Sequence, residues 1–506
     1  MVLSQLLSSL AYVLLYVGLP LFVISRVNTI FYNLYRHPLA SIPGPKVAAA
    51  TYLYQTYFCF VGGSFFYKEI ARLHDKYGTV VRITPDEVHL SDPDNYEIIN
   101  CVGTKFAKSS PFYDSFGIGY STFSSGPNDI HRIRRGMLNP FFSRQTVLSL
   151  ESIVHSKADK LITLLNTKLP KHQAVDLHHA FRAISVDVIT DYAFGHCYNL
   201  LDREDLGLDF FAMVQGIGPA MWIFQQWPSL LTVALSLPSA LVKAMSKPLK
   251  QVLNLQAHCL EQVLTVKADM DAGRKSERQS IFEVLLSPQH EGYVVPTPDQ
   301  IKDEAYSILA AAADTTGNAM TVAAYHVVKN PEMYKKLTAE LKAAFPSLDA
   351  PLDYLVLEKL PYLTGVVKEG LRLSFGVPGR LAREVPKPGV TFNGYTVPAG
   401  YFVSMSSWIL HQREDYFPDS SKFDPERWLD PKEVRHMDKA FVPFSKGTRG
   451  CVGINLAYCE LYVTLGTLFR NFSNLKGNEL TAKDLVYLDY FSSYHPISAA
   501  KFHVTA

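Results

Sequence analysis

Cysteine is scarce in this sequence, with six residues in 506, and no two of them form a CxxC pair. Cys59, Cys101, Cys197, Cys259, Cys451 and Cys459 are scattered, which argues against a disulfide scaffold or a structural zinc site and fits a reducing compartment. Charge of one sign is not in excess either. Lys plus Arg total 49 and Asp plus Glu 47, a formal net charge of +2, whereas a nucleic-acid-binding protein normally carries a strong basic surplus. Charged residues reach 19% against 48% hydrophobic ones, so disorder is excluded for most of the chain. Internal repeats, low-complexity tracts and flexible linkers are absent after residue 50. There is no glycine-rich dinucleotide or flavin motif, so any electrons the protein uses come from outside.

Charge is missing altogether from Val2 to Ser25, whose centre, Leu6 to Ile24, is continuously apolar apart from two serines. About 20 helical residues cross a hydrocarbon core of about 30 Å, so this stretch is long enough to span a bilayer. Its first flanking charges, Arg26 and Arg36, lie on the C-terminal side, which the positive-inside rule makes cytoplasmic. A cleaved signal peptide would want a basic start, a shorter apolar run and a small-residue cleavage site; a buried core helix is a third reading. The organisation read here is an anchor over 1–25, a Pro-rich hinge over 26–50 built on Ser41-Ile42-Pro43-Gly44-Pro45, and one body over 51–506.

Apolar residues at three- and four-residue spacing predict helices over Ser149–Leu169, Asp176–Phe194 and Leu249–Met270. Strand-like runs are short: 79–83, 87–90, and a hairpin of Val390–Phe392 and Tyr395–Val397 around Asn393-Gly394. The fold class is mainly α with small β-sheets, an α+β body in one large domain. A long helix begins at Thr297-Pro298-Asp299 and ends at Lys329, before Pro331. Inside it, Ala311-Ala312-Ala313 permits close approach of something large and flat, and Asp314-Thr315 places an acid beside an alcohol. A polar helix face with Thr315 bonded back to its own backbone explains the same residues.

Cys451 sits in Phe444–Gly453, FSKGTRGCVG, just ahead of a helical pattern from Ile454. The free N–H groups and dipole of that helix favour a thiolate, and glycines at 447, 450 and 453 let the backbone approach a bulky partner. An inert cysteine in a turn is the plainer reading. Glu369 and Arg372, at i and i+3, share a helix face. Pro425-Glu426-Arg427-Trp428 follows, and His131 and Arg135 lie one turn apart.

Phe444, Gly447, Arg449, Cys451 and Gly453 match FxxGxRxCxG, and together with Glu369-xx-Arg372, PERW and AAADT the chain resembles the cytochrome P450 family from the anchor to Leu461. The feel is of fungal membrane-bound members of terpenoid or polyketide pathways. That resemblance implies the P450 fold behind a transmembrane helix and haem b held by the Cys451 thiolate, which pushes electron density toward O–O cleavage. It implies that Glu369, Arg372 and Arg427 lock the segment supporting the haem loop. Asp314 and Thr315 would pass protons toward dioxygen. His131, Arg135, Arg383, Arg449 and Phe444 would contact the haem, with Arg380 a competitor for Arg383. Here Ala312 replaces the family's usual glycine. An NADPH-dependent flavoprotein reductase would supply electrons, with Arg132, Arg134 and Lys446 as candidate contacts. A lipophilic substrate would meet Phe112–Phe123, Ile308, Val377 and Pro378. The implied location is the endoplasmic reticulum membrane, single-pass, with the body on the cytoplasmic side. A haem-thiolate isomerase that needs no oxygen and a non-catalytic haem or scaffold protein are the alternatives; turnover without NADPH, or no haem band, would favour them.

Overall fold

The computed structural model describes residues 12, 14–274, 278–287, 294–348, 350–496 and 498–506. The part of the expected anchor before residue 12, and residue 13, lie outside these. From Leu14 the chain is helical: a wide turn over Leu14–Gly18 leads into α1, Leu19–Tyr35. An 18-residue window within Leu15–Tyr35 has a mean hydropathy of 1.4 and is unburied, and the stretch is long and apolar enough to cross a membrane. The helix continues through Arg26, so the non-helical connection starts at Arg36. Asn33 fastens its end to the body: its amide donates to the Ala50 carbonyl at 3.1 Å, and its own carbonyl accepts from Arg82 at 2.9 Å.

Seven further helices build and flank the site: α2 (Asn128–Leu138), α3 (Glu151–Lys168), α4 (Leu177–Ile189), α5 (Lys247–Asp271), α6 (Pro298–Lys329), α7 (Pro361–Ser374) and α8 (Ile454–Asn471). The apolar periodicity therefore located α3, α4 and α5 to within a few residues. Every residue of α4 is buried, including the polar His178, His179, Arg182, Ser185 and Asp187. α6 starts where its signals lie: the Thr297 hydroxyl accepts from the Gln300 N–H, and the Gln300 side chain reaches back to the Thr297 N–H. It stops because Asn330 already caps the next helix, begun by Pro331. α4, α5 and α7 pack on α6, and α3 packs on α8, around one hydrophobic core.

Gly317 allows the closest of these approaches. A Cβ there would sit 2.7 Å from the Arg182 Cα, so α6 and α4 meet nearly backbone to backbone. A five-stranded sheet lies apart from the helical core. Its strands are β1 (Val80–Arg82), β2 (Glu87–Leu90), β3 (Ala107–Lys108), β4 (Arg383–Glu384) and β5 (Phe402–Ser404), in the order β1-β2-β5-β4-β3. The hairpin forms separately, pairing Gly389–Phe392 with Tyr395–Pro398.

Candidate active site

A cavity of about 360 Å³ is lined by Ala311, Ala312 and Thr315 of α6 and by Phe444, Cys451 and Gly453 of the segment leading into α8. Cys451 is exposed as a residue and lines this cavity. Two hydrogen bonds set its loop. The Cys451 N–H donates to the Phe444 carbonyl at 2.8 Å, and Arg135 Nη1 donates to the Gly450 carbonyl at 2.8 Å. Of the three loop glycines only Gly447 needs positive φ, at +64°, and a side chain there would also strike the Asn100 and Cys101 carbonyls. A Cβ at Gly453 would meet nothing within 4 Å. Enclosure pushes the Cys451 thiol up, while the Gly453 N–H and the Arg135 charge draw it back toward the thiolate.

The support beneath the loop is a buried ion-pair network. Arg372 donates twice to Glu369, from Nε and Nη2, at 2.8 Å each, and both side chains are 0% exposed. Glu369 also accepts from Trp428 Nε1 at 2.9 Å and the Asp424 N–H at 2.8 Å, with Arg427 Nε 3.4 Å away. The remaining Arg372 hydrogens reach the carbonyls of His411, Ser420 and Lys422. Such a network costs its full desolvation if one member is lost. The sequence left out His411, which joins the network to the loop: its Nε2 accepts from the Val442 N–H at 3.0 Å while Nδ1 lies 3.0 Å from the Arg372 carbonyl.

Basic side chains crowd one part of the cavity wall. His131, Arg135, Arg383 and Arg449 all line it, and Lys108, which the sequence reading missed, joins them. Arg380 does not line it: it is buried against Glu87, whose carboxylate accepts its Nε at 2.8 and 3.0 Å. Arg449 is bound by protein, donating to the Ser125 and Gly126 carbonyls and to Asn128. Burial holds His131 down at about 3, with Arg449, Lys108, Arg135 and Arg383 adding to the effect. Burial also lowers Arg449 to about 10, with Arg383 adding repulsion, and depresses Lys108. His131 Nδ1 and Arg383 Nε are buried without a hydrogen-bond partner. A flat cofactor carrying two carboxylates and accepting a thiolate fits this wall.

The acid–alcohol pair is split. Thr315 lines the cavity, with its hydroxyl donating back to the Ala311 carbonyl at 2.9 Å. Asp314 does not line it; it turns into the core and pairs with Arg182 of α4. Among the expected substrate contacts, Tyr113, Phe116, Ile118, Phe123, Ile308 and Val377 line the cavity, whereas Phe112 and Pro378 do not. Phe112 packs instead with Phe66 and Trp222. Phe491, from the C-terminal region, was missed; its ring lies 5.1 Å from Phe116 and 5.3 Å from Phe123. Two of the suggested reductase contacts already have partners: Arg134 donates to the Gly119 carbonyl and Ser125 Oγ, and Lys446 pairs with Glu97 at the surface. Arg132 is exposed.

The family model described as Cytochrome P450 matches residues 45–484. The chain belongs to the cytochrome P450 family. It is 35% identical over 458 residues to a tryptophan 6-hydroxylase of Fusarium equiseti, covering 89% of each protein. It is 36% identical over 482 residues to a cytochrome P450 monooxygenase of Cochliobolus heterostrophus, covering 92% of this chain and 91% of that one. A crystal structure of a cytochrome P450 (CYP102L1) aligns with a TM-score of 0.69 at 17% identity, over 87% of this chain and 94% of that one, and shows the same fold. The protein is a P450 monooxygenase that oxidises small molecules, and its cofactor is haem with a cysteine thiolate ligand to iron.

Proposed function

We propose that Cys451 is that ligand and that this P450 oxidises a lipophilic small molecule, of terpenoid or polyketide type, with electrons from an NADPH-dependent flavoprotein reductase. One observation carries the reading: Cys451 lines the same cavity as Thr315. Haem, when bound, supplies dioxygen activation and insertion of one oxygen atom into substrate. Arg135, Arg383 and Arg449 would hold it through charge, neutral His131 through a hydrogen bond from its unpartnered ring nitrogen, and Phe444 would pack beside it. Thr315 presents a hydroxyl that orients water or a proton donor at the cavity, and Asp314 delivers protons once it leaves Arg182. The Phe116, Phe123 and Phe491 rings exclude water and suit a flat substrate. An indole-bearing amino acid is a natural first compound, given the relative named as a tryptophan 6-hydroxylase.

The N-terminal helix would hold the enzyme in the endoplasmic reticulum membrane, with the body on the cytoplasmic side where Arg26 and Arg36 lie. Exposed Leu53, Val61, Trp227, Leu230 and Val233 offer further apolar surface, and Phe60 and Trp227 are in ring contact at 5.8 Å. Exposed Arg132 is the remaining candidate contact for the reductase. The test is turnover of a compound panel by the full-length protein with reductase, NADPH and ¹⁸O₂. One labelled oxygen per product, dependent on NADPH, is expected; product without NADPH would make the enzyme a haem-thiolate isomerase instead.

A further inference from the structure

The loop over 117–126, between the turn at Phe116 and α2, brings Ile118, Thr122 and Phe123 to the cavity wall. Cations hold its carbonyls: Arg134 of α2 takes that of Gly119 at 3.0 Å, and Arg449 takes those of Ser125 and Gly126 at 2.7 Å each. Lys108 of β3 takes the Phe123 carbonyl, which fixes the loop against the sheet. The tie to α6 has the opposite polarity. Glu304 Oε2 accepts the Thr122 N–H at 2.7 Å and the Thr122 hydroxyl at 2.8 Å, and Asp303 Oδ2 accepts the Tyr120 N–H at 3.1 Å. Among the described residues these are the only hydrogen bonds between the loop and α6. The two acids differ: Glu304 is 4% exposed and lines the cavity, whereas Asp303 is partly exposed and does not line it. Among the described residues Glu304 has no ion-pair partner, and its other oxygen meets only Ser307 Oγ, at 3.4 Å. A buried carboxylate so placed depends on its hydrogen-bond donors, and these charge-assisted bonds are strong. Burial pushes its carboxyl up, while the two Thr122 bonds and the Arg134 charge draw it back.

We propose that Glu304 is a positioning residue for substrate selection: by holding Thr122 it fixes the neighbouring Phe123 ring and the width of the cavity between the loop and α6. About two turns beyond Glu304, the same helix presents Ala311, Ala312 and Thr315 to the cavity. The Phe123 ring meets Phe116 and Phe491 at 5.0 and 5.3 Å, so a shift at Thr122 carries the aromatic wall with it. The inference rests on the reading of this cavity as the place where substrate meets haem.

The experiment compares the full-length holoprotein with Glu304→Met, Glu304→Gln, Thr122→Val and the Glu304→Met/Thr122→Val double variant. Met removes the acceptor at similar length, and Gln keeps an acceptor oxygen but no charge. Two quantities are measured: amide hydrogen exchange of segment 117–126, and the affinity for 4-phenylimidazole relative to imidazole, both ligands of haem iron, by spectral titration. In Glu304→Met the segment should exchange about tenfold faster and the relative affinity should fall about tenfold. Glu304→Gln should stay within about threefold of the parent, and Thr122→Val should add nothing to Glu304→Met. A Glu304→Met protein matching the parent in either quantity overturns the proposal, and so does a Glu304→Gln protein as impaired as Glu304→Met. Should Glu304→Met not fold, Thr122→Val alone decides: a change of about threefold in both quantities supports the tie, and none overturns it. A parent giving no spectral shift with imidazole overturns the haem reading, a separate failure that leaves the exchange measurement intact.

Discussion

Asp314 of α6 is paired with Arg182 of α4, and both side chains are enclosed, at 6% and 2% exposure. Arg182 also donates from Nε to the Ala313 carbonyl at 3.2 Å and lies over the Phe211 ring. The acid next to Thr315 is thus held away from the cavity by a partner on the neighbouring helix. Under the relay proposed above, proton delivery requires the carboxylate to exchange Arg182 for water. Asp314→Asn should retain haem but slow turnover about a hundredfold. Arg182→Met alone strands a buried carboxylate and should destabilise the protein by about 3–5 kcal/mol, while adding Asp314→Leu recovers much of that loss. Thermal unfolding and turnover check both; a double variant no more stable than Arg182→Met would contradict the pairing's importance.

Thr315→Ala removes the only hydroxyl of the Ala311–Thr315 stretch, which forms part of the cavity wall. Product formed per NADPH consumed should fall about tenfold, with hydrogen peroxide rising in its place. Unchanged coupling would show that the hydroxyl serves only its bond to the Ala311 carbonyl.

Glu369 accepts from Arg372, Trp428 and the Asp424 N–H with no exposure to solvent. Glu369→Gln should cost about 3–5 kcal/mol, because Arg372 keeps its charge and loses its only carboxylate. The yield of haem-loaded protein and its unfolding temperature should both drop. A variant with normal loading would mean the carbonyls of His411, Ser420 and Lys422 suffice to hold Arg372.

His411 accepts the Val442 N–H at Nε2, so the neutral ring with its proton on Nδ1, donating to the Arg372 carbonyl, satisfies both contacts. Burial, opposed by that hydrogen bond and helped by the Arg372 charge, lowers it to about 3. Between pH 3 and its unfolded value near 6.5 the unfolded chain binds the extra proton. Its contribution to stability is therefore present above about pH 6.5 and is lost as pH falls toward 3. His411→Gln should lose less stability than the parent between pH 7 and pH 5; equal losses, read from unfolding midpoints, would contradict this.

What could be read from the sequence was local. Glu369 and Arg372 are one helical turn apart, Phe444 to Gly453 is continuous, and Thr297 announces its own helix, so spacing alone exposed them. What could not be read depends on which distant strands and helices meet. Arg182 sits inside an apolar helical run, and a charge there signals a buried partner without naming Asp314. Arg380 and Arg383 look alike until β2 supplies Glu87 to the first and the cavity receives the second. Lys108 lies on a strand of two residues, too short for any alternation to show, and its meaning comes from the register with β4. Phe491 reaches the cavity from a C-terminal turn that carries no motif.

The central claim concerns the sulfur of Cys451, and the ferrous–CO difference spectrum tests it most directly. The full-length protein should show the red-shifted band of a thiolate-ligated haem, and Cys451→Ala should abolish it. A band that persists in Cys451→Ala would place the ligand on another residue and contradict the account.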